Sequence, residues 1–107
     1  MVLKLWKFHL TFLKNLVENI KLSQSLDFNY LELRLTLTQE NYLDVLKTFE
    51  FIKNIIDFKK WTLKIIKAKF IEESVHIGRF TILKNNLFSE IFENMKKYPF
   101  KKFVFQK

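Results

Sequence analysis

Residues 31–56 read LELRLTLTQENYLDVLKTFEFIKNII, and the hydrophobic period changes inside this stretch. The first seven residues alternate leucine with polar side chains, which is the period-2 pattern of a strand with one buried face. After Thr38, which can serve as an N-cap, apolar residues recur at three- and four-residue spacing. The stretch therefore predicts a strand followed by an amphipathic helix that ends near Phe58.

Both periods return in the rest of the chain. Alternation over Trp61–Ile71, and again over residues 75–83, predicts two strands joined as a hairpin. A pair of asparagines then offers an N-cap for a helix that Pro99 stops. Three phenylalanines within residues 100–105 indicate a short last strand. The order after the N-terminal segment is therefore strand, helix, strand, strand, helix, strand.

This order is typical of an α+β protein with the ferredoxin-like split β-α-β-β-α-β fold, here over residues 29–107. In that fold the strand at Leu31–Leu37 pairs antiparallel with Phe80–Leu83 in the middle of the sheet. Residues 1–28 are expected to be an N-terminal arm and linker, most simply helical, although alternation around residues 8–12 leaves a strand open. The apolar stripe of the arm needs a surface to bury it and is the predicted partner-binding site: Leu3, Trp6, Leu10, Leu13, Val17 and Ile20.

Charge is unevenly distributed along the 107 residues, whose formal net charge is +8. Residues 1–28 carry four basic and two acidic side chains, residues 29–58 three and five, and residues 59–107 twelve and four. Such a balance usually indicates a polyanionic partner, most often nucleic acid, and the alternative is a solubilising lysine face. The predicted RNA-binding residues are Lys59, Lys60, Lys64, Lys67, Lys69, Arg79, Lys84, Lys96, Lys97, Lys101 and Lys102.

The predicted RNA contacts are with phosphates rather than with bases. The RNA-recognition motif is a ferredoxin-like module that stacks bases on aromatic side chains of its open sheet face. The outward positions of the first strand are Glu32, Arg34 and Thr36, and none of them is aromatic. Lysine contact with phosphates is the mode that fits, and this mode positions a protein without reading the bases.

Several kinds of site are not supported by the composition. The chain has no cysteine, which excludes disulfides and thiolate metal sites, and His9 and His76 stand on different elements. Gly78 is the single glycine, so phosphate-cradling loops and a nucleophile elbow are not expected. No apolar run approaches the roughly 20 residues of a membrane span. We therefore expect no enzymatic activity, no cofactor, no metal, no small-molecule substrate and no membrane span.

The run Leu31-Glu-Leu-Arg34-Leu-Thr-Leu, followed by Tyr42-Leu-Asp44, resembles ribosomal small-subunit protein ten. The first strand of that family has the form apolar-x-apolar-Arg-apolar, and the spacing from Arg34 to Asp44 fits it without a gap. The run Arg79-Phe-Thr-Ile-Leu83 is similar to a segment of the family's extended hairpin. The family's Gly-Pro-rich loop and Ser-Pro-His segment are absent from this chain, and the resemblance covers residues 30–83.

The resemblance implies a structural constituent of the head of the ribosomal small subunit, held by rRNA and by neighbouring small-subunit ribosomal proteins. The alternatives are small-subunit protein six, another RNA-associated ferredoxin-like protein, or a peripheral membrane or protein-interaction factor that uses the amphipathic arm. Phe, Lys, Ile, Asn and Leu are abundant, and their codons are A/T-rich. This bias favours an organelle-encoded protein bound to ribosomes in the mitochondrial matrix, with the cytoplasm as the alternative.

Overall fold

A computed structural model describes residues 1–5, 10–67 and 85–106, in which helices pack on a four-stranded sheet. The expected α+β class is confirmed. The strands lie in the order β1-β2-β3-β4, and all neighbours are parallel. The elements are β1 (Val2–Leu5), α1 (Leu10–Ser25), β2 (Leu31–Leu37), α2 (Tyr42–Ile52), a 3-10 turn (Phe58–Lys60), β3 (Trp61–Lys67), α3 (Asn85–Met95) and β4 (Lys102–Gln106).

The ferredoxin-like arrangement is not confirmed, because neighbouring strands are parallel rather than antiparallel. β2 pairs with β3 along its whole length and with β1 over Glu32–Leu35. The positions that the expected antiparallel neighbour would take are therefore occupied. That neighbour, Phe80–Leu83, lies outside the described residues, as does the part of the predicted hairpin beyond Lys67. Each link between successive strands contains a helix, which returns the chain to the same edge of the sheet as parallel pairing requires.

The N-terminal segment is not a separate arm. It forms the first strand of the sheet and the first helix that packs on it. β1 forms where the helical prediction placed the start of the stripe, and α1 begins at Leu10. The backbone N–H of Glu32 donates to the carbonyl oxygen of Met1 at 3.0 Å, and the amino group of Met1 donates to the carbonyl oxygen of Tyr30 at 2.9 Å. The boundary predicted at residue 28 consequently falls inside one body of packed elements.

A 30-residue repeat relates the first three strands. Register partners differ by 30 residues from β1 to β2 and again from β2 to β3, and by 40 from β3 to β4. A repeat unit of one strand and one helix cannot bury its apolar face alone, whereas stacked units bury a continuous core. The matching sequences are Leu3-Lys4-Leu5, Leu33-Arg34-Leu35 and Leu63-Lys64-Ile65.

The hydrophobic core lies between the sheet and the helices. One phase of strands β1–β3 contributes leucine, isoleucine or tryptophan, β4 contributes partly buried phenylalanines, and the helices contribute their apolar stripes. All of these residues belong to one contiguous cluster, so the sheet is packed on this face by helices α1, α2 and α3. Fully buried side chains of the cluster include Ile20, Leu33, Leu35, Leu37, Val45, Phe49, Ile52, Trp61, Leu63, Ile65 and Met95.

The junction between β2 and α2 is closed by Asn41 rather than by the predicted N-cap, Thr38. Asn41 is the N-cap residue, although its side chain makes no capping hydrogen bond. Its Oδ1 instead accepts from the N–H of Thr38 at 2.9 Å, and its Nδ2 donates to the carbonyl oxygen of Thr36 at 2.9 Å. This buried amide therefore fixes the turn at the C-terminal end of β2.

Gln24 ties α1 to the segment before β3. Its Oε1 accepts from the indole N–H of Trp61 at 2.9 Å and from the backbone N–H of Asp57 at 2.7 Å. Gln24→Ala is expected to lower the free energy of unfolding by about 1–3 kcal/mol, because the buried indole N–H loses its acceptor. Gln24→Glu keeps an acceptor oxygen and should lose less in urea unfolding. Equal losses for the two variants would contradict this role.

Candidate nucleic-acid interface

Four of the predicted lysines meet at the strand-start edge, the edge of the sheet where the parallel strands begin. Lys59 and Lys60 lie in the 3-10 turn that precedes β3, and Lys101 and Lys102 lie where β4 begins. The backbone N–H of Lys101 donates to the carbonyl oxygens of Phe58 at 3.1 Å and Trp61 at 3.0 Å, which joins the two segments. All four lysine residues are exposed.

An aromatic cluster fixes the backbone beneath these lysines. The ring of Phe58 stacks on Tyr98 with centroids 5.3 Å apart and meets Phe100 edge-on at 4.8 Å. Phe49 approaches the rings of both Tyr98 and Phe100, at 5.6 and 6.0 Å. Aromatic pairs of this geometry add to the stabilisation that comes from burial. The lysine side chains are thus carried on segments anchored in the core.

The two lysines that follow α3 are engaged by carboxylates. Lys96 Nζ lies 3.0 Å from Glu93 Oε1, and Lys97 Nζ lies 3.1 Å from Glu50 Oε1. Both pairs are exposed, and such pairs are weak and easily screened by salt. Lys96 and Lys97 therefore contribute less net charge to the strand-start edge than Lys59, Lys60, Lys101 and Lys102.

Glu50 joins α2 to this edge through three donors. Hydrogen bonds from Lys53, Tyr98 and Lys97 lower the pKa of Glu50 from 4.5 to about 2. Burial, followed by the hydrogen bond to Glu50, raises the pKa of Tyr98. The carboxylate is therefore held in its ionised form at neutral pH, and the tyrosine in its neutral form.

Glu50 is expected to make folding stability depend on acid pH. Its folded pKa lies below its unfolded value, so the stabilisation is complete above about pH 4.5 and is lost as the pH falls toward 2. Glu50→Gln should flatten this part of the curve of unfolding midpoint against pH. Glu93→Gln removes an exposed carboxylate that pairs with one lysine and serves as the control. An unchanged acid limb in Glu50→Gln would contradict the prediction.

The second face of the sheet, here called the polar face, lies opposite the helix-packed core. Alternation along the four strands assigns its side chains. None of its described positions carries an aromatic side chain, which agrees with contact to phosphates rather than base stacking. The positions are Val2, Lys4, Glu32, Arg34, Thr36, Thr62, Lys64, Ile66, Lys102 and Val104.

Glu32 is the acid of the polar face and is itself buried. Its Oε2 accepts from Arg34 Nε at 2.8 Å, and its Oε1 accepts from the hydroxyl of Tyr30 at 2.6 Å. The hydrogen bond to Glu32 is the main cause that raises the pKa of Tyr30. The negative charge of Glu32 is thus compensated inside the face and does not neutralise the lysines around it.

The parallel register brings Lys64 beside two residues that the sequence analysis did not select. Lys4 pairs with Arg34, and Arg34 pairs with Lys64, so three cations stand at one level of three neighbouring strands. The 30-residue repeat predicts Lys4 and Arg34 as partners of Lys64, because each copy of the repeat carries one basic residue at the same position. Lys102 stands at the adjacent level of β4.

Of the four predicted RNA-binding residues that remain, the structure describes Lys67, which belongs to neither group. Lys67 is the last residue of β3, at the opposite end of the strand from Lys60. Lys69, Arg79 and Lys84 lie outside the described residues. The candidate interface therefore consists of the strand-start edge and the polar face.

The predicted partner-binding stripe is largely covered by the protein itself. Ile20 is fully buried in the core, Leu3 and Val17 pack against it, and Leu13 is half-buried. Leu10 is the first residue of α1, and Trp6 lies outside the described residues. The described residues of this stripe are therefore buried against the protein's own core.

Residues 1–5, 10–67 and 85–106 contain neither a metal-binding cluster nor a membrane-spanning helix. Within these ranges no group of three or more histidine and carboxylate side chains is placed to hold a metal ion. None of the helices there is long and apolar enough to cross a bilayer. Comparisons with protein-family models, with curated proteins and with solved structures find no match.

Proposed function

We propose that this protein is a non-catalytic, RNA-binding component of a ribonucleoprotein. The observation that carries the proposal is the convergence of Lys59 and Lys60 with Lys101 and Lys102 at the strand-start edge. Within the described part of the chain, none of these four lysines forms an ion pair. Lysine is a point charge without a bidentate fork, so such a surface suits phosphates and gives weak base selectivity.

The small ribosomal subunit is the assembly we propose, with rRNA and neighbouring small-subunit proteins as partners in the mitochondrial matrix. Its support is the sequence resemblance around Arg34 and Asp44 together with the net charge of +8. Because the strands pair in parallel, the ferredoxin-like fold does not add to the support for this assignment. The proposal of RNA binding therefore rests on the positions of the four lysines at the strand-start edge. The ribosomal assignment rests on the short sequence motif around Arg34 and Asp44.

The salt dependence of RNA binding tests the role of the strand-start edge. Each phosphate neutralised on a single strand contributes about −0.7 to the slope of log affinity against log salt. Lys59→Gln/Lys60→Gln should make the slope shallower by about 1.4, because two contacts are lost. Lys14→Gln/Lys21→Gln, which removes two exposed lysines of α1, is the control matched in charge. The same change in both variants would show that net charge alone governs binding.

The ribosomal assignment needs a separate measurement. The tagged full-length protein, purified from its source, should sediment with ribosomal small subunits and be released from them as salt rises. Its sedimentation as a free protein, in conditions that preserve small subunits, would contradict the assignment without contradicting RNA binding.

A further inference from the structure

The repeat places three cations in a row across the polar face. Lys4, Arg34 and Lys64 are direct register partners on β1, β2 and β3. Neighbouring strands lie about 4.8 Å apart, so the row runs at right angles to the strands over about 10 Å. Lys4 is exposed, the side chain of Arg34 is 33% exposed and Lys64 is half-buried. The row is therefore reachable from outside the sheet.

This row places basic side chains directly opposite one another on two successive strand pairs. Like charges directly opposite one another on neighbouring strands destabilise a sheet, and here the arrangement occurs at two successive strand pairs. Glu32 compensates the charge of Arg34 through Nε, which leaves Lys4 and Lys64 without an acidic partner among the described residues. Pairs of like charge on neighbouring strands are expected at surfaces that have a function.

We propose that Lys4, Arg34 and Lys64 bind the phosphate backbone of a single-stranded RNA that lies across the strands of the polar face. Charge complementarity identifies the occupant as a polyanion, and the RNA identity rests on the proposed function. Three cations in one line match the single phosphate backbone of a single strand, whereas a duplex presents two backbones. Arg34 donates to Glu32 through Nε. The two terminal nitrogens of the Arg34 guanidinium are therefore the donors that can form a bidentate contact with a phosphate.

The test uses the full chain, a fluorescently labelled oligouridylate and the variant Lys4→Gln/Lys64→Gln. This variant keeps the contact between Arg34 and Glu32, so the buried carboxylate does not lose its partner. The slope of log affinity against log salt should become shallower by about 1.4, because two phosphate contacts are lost. The control Lys14→Gln/Lys21→Gln removes the same charge from α1 and should leave the slope nearly unchanged.

A second readout comes from the protein without RNA. Removal of the like-charge contacts should keep the urea unfolding midpoint of Lys4→Gln/Lys64→Gln at or above that of the parent protein. A lower midpoint would mean that the two lysines stabilise the fold, and it would overturn the proposal. A change of slope no larger than that of the control would also overturn it.

The remaining outcomes separate this proposal from the proposed function. Loss of RNA affinity in Lys59→Gln/Lys60→Gln, with no loss in Lys4→Gln/Lys64→Gln, would refute the row and leave RNA binding at the strand-start edge intact. Absence of oligouridylate binding by the parent protein would refute both. Polyglutamate that competes for the row better than oligouridylate would overturn the assignment to RNA and identify an acidic polypeptide as the occupant.

Discussion

Removal of residues 1–25 is expected to abolish cooperative folding rather than to detach an arm. β1 pairs with β2, and Leu5, Leu16 and Ile20 are only 1%, 3% and 0% exposed. Burial of each such side chain contributes about 1.5–3 kcal/mol, so the three together approach the 5–15 kcal/mol of a typical domain. Urea unfolding followed by far-UV circular dichroism measures the effect, and the truncated protein should show no cooperative transition.

The control for this deletion is a substitution on the opposite side of the same helix. Leu22 is 57% exposed, and Leu22→Ala should change the free energy of unfolding by less than about 0.5 kcal/mol. A truncated protein with the urea midpoint of the full chain would contradict the structure and restore the view of residues 1–28 as an arm.

Individual strands and helices were predictable where a single hydrophobic period extends over the whole element. The alternation that predicts a strand at Leu31–Leu37 coincides with β2, and the last strand and the helix before Pro99 are found as β4 and α3. α2 ends at Ile52 instead of near Phe58, because the chain turns after Ile52 and Phe58 enters the aromatic cluster from its own 3-10 turn. Apolar spacing alone does not distinguish a helical stripe from residues that enter the core after a turn.

The order and direction of the strands were not predictable from the period within single elements. The alternation in β2 determines which face of the strand is buried, but it does not determine which strand lies beside β2. The antiparallel expectation rested on the order of the period changes between Tyr30 and Phe105, which includes a strand at residues 75–83 that lies outside the described residues. The repeat of Leu33-Arg34-Leu35 at Leu63-Lys64-Ile65 did carry the parallel register, because stacked repeats pair equivalent positions.

The candidate interface was predictable in residue type and only partly in position. Lysines concentrated in residues 59–107 indicate a polyanion whatever the topology. The meeting of Lys60 with Lys101 depends on a backbone hydrogen bond from Lys101 to Phe58, which connects segments far apart in the sequence. Lys4 was missed because residues 1–28 were assigned to an arm, although it stands in register with Arg34.

Leu33→Ala is expected to lower the free energy of unfolding by about 2–5 kcal/mol, the range for leucine truncation in a packed core. Leu33 is fully buried, and its register partners Leu3 and Leu63 flank it on both sides. Urea unfolding of the full chain measures the loss. Leu43→Ala is the control, since Leu43 is 59% exposed on α2 and should change stability by less than about 0.5 kcal/mol.

The same substitution along the repeat tests whether the stacked units share one core. Leu3 is only partly buried on the neighbouring strand β1, so Leu3→Ala should cost less than Leu33→Ala. Leu33 and Leu63 are adjacent and both fully buried, and the double variant should depart from additivity by about 0.5–3 kcal/mol because the two cavities have common neighbours. Equal losses at Leu3 and Leu33, together with strict additivity of Leu33 and Leu63, would mean that these positions do not stack in the parallel register.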